Sequence, residues 1–132
     1  MVRNDRLLSA ALIVFGVTFC LVYPLAVVWP SGWAWHAGSP ASSNYFMMIV
    51  GVYATLGVFL IRAAWKPFDN RSLIWFTVWS SVVHAVVMAL QALNQDMHHG
   101  HLAGDVPALL LVALVLAVLM KRADRDRAPD RP

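Results

Sequence analysis

The sequence predicts an all-α fold: an integral membrane bundle of four antiparallel transmembrane helices, with the N- and C-termini cytoplasmic. Three observations predict it. Of the 132 residues, 60% are hydrophobic and 13% charged, whereas soluble domains carry about one quarter charged residues. Four apolar runs, at 7–29, 44–65, 72–93 and 104–120, approach the roughly 20 residues that cross a bilayer. The ten Lys and Arg side chains fall in three clusters: Arg3 and Arg6; Arg62, Lys66 and Arg71; and Lys121, Arg122, Arg125, Arg127 and Arg131. This is a positive-inside distribution, and it puts the residues around the 66–71 turn on the same side as both termini.

Arg3 and Arg6 precede the first run as they would in a signal peptide. The apolar stretch is much longer than the roughly 7–15 residues of such a leader, so a retained helix is expected. Ser9, Gly16, Cys20 and Tyr23 form its small and polar side. Pro24 is expected to kink it, because proline removes a helix hydrogen bond and its ring crowds the carbonyl four residues back. The loop that follows reads WPSGWAWHAGSPAS; Pro, Gly and Ser break the helix there, and Trp29, Trp33 and Trp35 suit a membrane interface.

The second run carries Asn44, Met48, Gly51, Thr55 and Arg62 on one side. Its turn into the third run, KPFDNR, is short, so these two helices are expected to pair as a hairpin, with Asn70 as a cap. In the third run Thr77, Ser80, Ser81, His84, Met88, Gln91 and Gln95 recur at three- and four-residue spacing. They share an arc of about 100°, opposite Trp75, Trp79, Val82, Val86, Leu90 and Leu93. Polar and small side chains in a membrane face other helices, so the marked sides of the first three helices are expected to meet inside. The fourth run is short. It spans a bilayer if it begins near Gly104 and if Lys121 and Arg122 snorkel; a helix lying in the interface is the competing expectation. Asp105 is expected to cap it, with Pro107 in its first turn. It has no polar side chain between Val106 and Met120 and should close the bundle as an apolar wall. Residues 1–120 thus form one domain, and 121–132 a basic, disordered tail in which Asp124, Asp126 and Asp130 alternate with Arg.

Several functions are disfavoured. The net charge of +3 comes from residues flanking helices, which points to the lipid bilayer as partner and to no nucleic acid. Cys20 is the only cysteine, which excludes an intramolecular disulfide and a CxxC redox centre. There is no glutamate, and no aspartate in the first three spans or between Val106 and Met120, so proton-coupled exporters that need a membrane carboxylate are a poor match. No second histidine sits in a facing span for a bis-histidine haem.

The remaining chemistry is polar residues between the midplane and the outer face. His84 is expected near the midplane, where an ionisable side chain faces the interior. It is either a functional relay or ligand contact, or a neutral histidine bonded to a serine or another helix. Cys20, Tyr23, Met48, Met88 and Gln91 are expected in the outer half. Asp96, His98, His99, His101 and Asp105 follow at the outer surface, with His36 on the neighbouring loop. Imidazole and carboxylate together suit zinc or copper, and Cys20, Met48, Met88 and His84 would suit Cu(I) if they converged. The HHGH spacing matches no established zinc pattern, so a solvated loop is the competing reading.

The runs GVYATLGVFLIRAAWKPFDNRSLIWFTVWSSVVHA (51–85) and QALNQDMHHGHLAGDVPALLLVA (91–113), with the earlier WPSGWAWH, resemble a family of small bacterial four-span membrane proteins of unknown function. The resemblance implies a bacterial cytoplasmic (inner) membrane and transfers no activity. A more distant resemblance to DoxX-type proteins rests on architecture alone. The sequence therefore leads to a protein that binds a transition metal or small molecule in an outward-opening cavity. His84, Met88, Gln91, Tyr23, Cys20 and Met48 would line it, and His98, His99, His101, Asp96 and His36 would supply metal ligands. The alternative is an accessory subunit or scaffold of a redox or transport complex. Its polar face would then serve a membrane-protein partner or further copies of the chain.

Overall fold

Pro24 sets the first feature of the architecture. Its ring has no N–H for the carbonyl of Cys20 and crowds it, so the first helix stops there. Helix α1 (Arg3–Cys20) and helix α2 (Val22–Val28) meet at Leu21 with a bend of 58°. The computed structural model describes residues 3–34, 38–94 and 100–127, with the backbone alone at Asn94. A short α3 (Pro30–Trp33) and a 3-10 turn (Pro40–Ser42) follow. Helix α4 (Asn44–Ala63) is capped by Ser43, whose Oγ accepts from the Phe46 N–H at 3.2 Å. A 3-10 turn (Pro67–Asn70) leads directly into α5 (Arg71–Asn94), and α6 runs Asp105–Arg127. Asn70 donates its side-chain amide back to the Lys66 carbonyl and so closes that turn. No strand occurs among the described residues.

Three helices are long and apolar enough to cross a membrane, and the bent α1–α2 pair makes a fourth if it is one span. The arrangement departs from a sequential hairpin pattern. α1 packs on α4 and on α6, and α6 packs on α5, whereas α4 and α5 make little close backbone approach. The apolar α6 closes the bundle against α1 and α5 and leaves Leu110, Leu111 and Leu114 exposed on its other side. It lies against two helices, burying Leu109, Val112, Ala113, Leu116 and Met120. The α1–α4 crossing is drawn tight by two glycines. A Cβ on Gly57 would lie 2.4 Å from the Gly16 carbonyl oxygen, and one on Gly16 would lie 2.7 Å from that of Gly57. Cys20 sits at the same crossing, its thiol donating to the Ala54 carbonyl at 3.6 Å.

The inward side of α4 is Phe46, Gly57, Leu60 and Ala63, with Tyr53 half-buried. It is not the side marked by Asn44, Met48, Gly51 and Thr55, all of which are exposed. Thr55 removes the reason to turn inward by donating its hydroxyl to the Gly51 carbonyl of its own helix, 2.8 Å away. α5 follows expectation in part: Thr77, Ser81 and Met88 are buried and Trp79, Val86, Leu90 and Leu93 are exposed, but Gln91 is exposed and Trp75 and Val82 are half-buried against the core.

At one end of the molecule the beginning of α1, the Pro67–Asn70 turn and the end of α6 interlock. Arg127 donates to Asp5, 2% exposed, at 2.8 Å, and lays its guanidinium 3.5 Å from the centre of the Phe68 ring. Arg71 pairs with Asp124 at 2.6 Å, and Asn4 donates to Asp126 at 2.7 Å. The helix expected to stop at Met120 therefore continues through Arg127. Arg125 and Arg127 in its last turn complement the negative end of the helix dipole, and neither Gly nor Pro lies between Met120 and Arg127. Residues 128–132 of the expected tail lie outside the described residues.

Candidate functional site

Because α4 and α5 make little close backbone approach, a cleft opens between them, backed by α1 and α6. Its volume is about 390 Å³, within the range of small-molecule sites. Phe19, Val22, Ile49, Leu109 and Val112 give it apolar walls. Thr18, Ser43, Gln91 and Asp105 contribute polar atoms around them.

The cleft's most distinctive contact joins its two sides. Tyr53 Oη on α4 lies 2.9 Å from His84 Nδ1 on α5. The Tyr53 ring also meets Phe19 of α1 edge-on, with centroids 5.0 Å apart, which fixes the phenol from behind. If the phenol donates to Nδ1, the imidazole presents its Nε2–H. If Nδ1 carries the hydrogen and donates to Oη, the phenol O–H is released. Either way the pair retains one hydrogen-bond donor for a third group. Two helices that hardly touch are bridged by a contact that can also serve a guest.

Of the residues expected to contact a ligand, His84, Met88 and Gln91 border the cleft; Cys20, Tyr23 and Met48 do not. Cys20 is at the α1–α4 crossing. Tyr23 packs on a separate small core with Val22, Ala26, Ala34 and Phe46. Met48 is 63% exposed on the outer side of α4. Tyr53 and Asp105 join the cleft without having been expected in it. The available signal for Tyr53 was depth: it lies nine residues into α4, and His84 lies ten residues before the end of α5. At about 1.5 Å per residue the two match within a residue or so.

The expected metal ligands divide. His36, Asp96, His98 and His99 lie outside the described residues. His101 is not presented to a metal: it is 1% exposed, with Nδ1 2.9 Å from Asp105 Oδ2 and Nε2 3.2 Å from the Ala34 carbonyl oxygen. Two glycines bring it there. A Cβ on Gly100 would lie 2.3 Å from the Ser31 carbonyl oxygen, and one on Gly104 2.4 Å from that of Gly32. The segment from Gly100 to Gly104 is thus pressed onto α3, and His101 clamps the two connecting regions together. Asp105 is the first residue of α6 and takes His101 on its Oδ2. Among the described residues no three His, Cys, Asp or Glu side chains gather as a metal centre would require. The structure gives the metal reading no support.

The model of a family of unknown function, DUF6632, matches residues 3–132. The chain belongs to that family. No curated protein and no solved structure matches this DUF6632 chain, and nothing in the comparisons connects it with DoxX-type proteins or with a bacterial origin.

Proposed function

We propose that this protein crosses a cytoplasmic membrane four times and binds a small, mostly apolar molecule in the cleft between α4 and α5. Three long apolar helices and the bent α1–α2 pair support the four crossings. So does the outward surface, where Val14, Val52, Phe59, Trp79, Val86 and Leu114 are all exposed. The described Lys and Arg side chains belong to the end where α1 starts, α4 passes into α5 and α6 finishes. By the positive-inside rule that end faces the cytoplasm. Ser43, Gln91 and Asp105 belong to the opposite ends of their helices, so the cleft opens toward the outer side.

The observation that carries the reading is the Tyr53–His84 hydrogen bond inside a mainly apolar cleft. Hydrogen bonds between helices in a membrane contribute on the order of 1 kcal/mol, a modest return for placing an imidazole at such depth. A site that orients the polar group of an apolar guest gives both side chains a use.

Native mass spectrometry of protein extracted in mild detergent tests this. The wild type should carry an adduct of defined mass, depleted in Tyr53→Phe and more so in His84→Leu. A wild type holding only detergent and bulk phospholipid, with both variants folded and indistinguishable from it, would refute the proposal.

A further inference from the structure

We propose that the cleft selects an organic cation, a molecule with an apolar body and a charged nitrogen. This rests on the cleft being a binding site and adds the chemistry of its guest. Two features of the lining carry it independently.

The first is aromatic. Phe19, Trp33, Tyr45, Phe46 and Tyr53 all border the cleft. Aromatic rings present negative faces, and a cation within about 6 Å of a ring centre is attracted to them, more strongly where water is excluded. The second is charge. Asp105 borders the cleft, and among the described residues no Lys or Arg does. His101 does not border the cleft, so the histidine of the pair stands behind the carboxyl group. The Ala34 carbonyl can only accept, so His101 Nε2 donates to it and Nδ1 is left to face Asp105. Asp105 is thus the member of the pair that meets the cleft. A neutral guest would use Tyr53, His84 and Gln91 but draw no charge attraction from the ring faces or from Asp105. A cationic guest engages the rings and Asp105, and its N–H groups can donate to the Tyr53 or Gln91 side-chain oxygen.

Titration calorimetry of the full chain in neutral maltoside micelles, with decylammonium and with decanol, tests the proposal. Ala108→Phe fills the cleft from the α6 side and supplies the background from micelle partitioning. Decylammonium should bind the wild type about tenfold more tightly than decanol. Tyr45→Leu, at an exposed ring, and Asp105→Asn should each narrow that gap. Equal affinity for the two probes overturns the cation assignment and leaves the binding reading intact, and so does a gap that neither substitution narrows. Absence of binding by either probe above the Ala108→Phe background overturns both.

Discussion

Tyr53 and His84 hold hands across a gap: 2.9 Å separates Oη from Nδ1, although their helices make little close backbone approach. The structural share of this contact is separable from its binding share. Tyr53→Phe removes one hydroxyl and keeps the ring against Phe19. It should lower stability by about 1 kcal/mol or less while depleting the bound adduct severalfold. Thermal midpoints in detergent and adduct occupancy, measured on the same preparations, check the split. Parallel loss of both would mean that the contact serves packing only.

The glycines of α4 should respond in opposite ways. Gly57→Ala drives a methyl into the Gly16 backbone and Cys20 Sγ, and overpacking of this kind costs about 1–3 kcal/mol. Gly51→Ala meets nothing within 4 Å and removes a poor helix former, so stability should rise by up to roughly 1 kcal/mol. Unfolding in increasing dodecyl sulfate resolves the signs. Equal loss from both would contradict the crossing described for α1 and α4.

His101→Ala should destabilise the fold by about 3 kcal/mol, since breaking a buried pair leaves Asp105 short of its partner. It should not alter the metal content of protein purified under chelator-free conditions, which elemental analysis reads directly. A stoichiometric metal lost with His101 would reverse the assignment made here.

Arg127→Ala should cost about 1–3 kcal/mol by leaving the buried Asp5 carboxylate without its donor. Asp5→Asn combined with Arg127→Ala should be less damaging than the sum of the two single changes. A double-mutant cycle measures this, and strict additivity would show that the two ends of the chain are not coupled through this contact.

The sequence made the α5 stripe legible because its polar side chains recur at helical spacing: Ser80, Ser81, His84 and Met88 lie where periodicity puts them. The inward side of α4 is not legible in the same way, because small size and polarity are ambiguous signals in an apolar helix. Thr55 satisfies its hydroxyl on Gly51 and faces outward, and nothing in the pattern distinguishes Gly51 from Gly57, which makes the close crossing. The HHGH segment reads as a ligand cluster, yet for His101 the deciding facts are contacts of Gly100 and Gly104 with Ser31 and Gly32, some 70 residues away. No local pattern encodes such a pairing. The extension of α6 past Met120 depends likewise on Asp5 and Arg71, which only the folded chain brings to Arg127 and Asp124.

The central claim is that a guest occupies the cleft between α4 and α5. Its most direct test places a photoreactive benzophenone side chain at Ile49, which borders the cleft, and separately at Val52, which is exposed on the same helix. Irradiation of native membranes followed by mass spectrometry should give one discrete small-molecule adduct at Ile49 and only bulk lipid at Val52. The same lipid adducts at both positions would contradict the account.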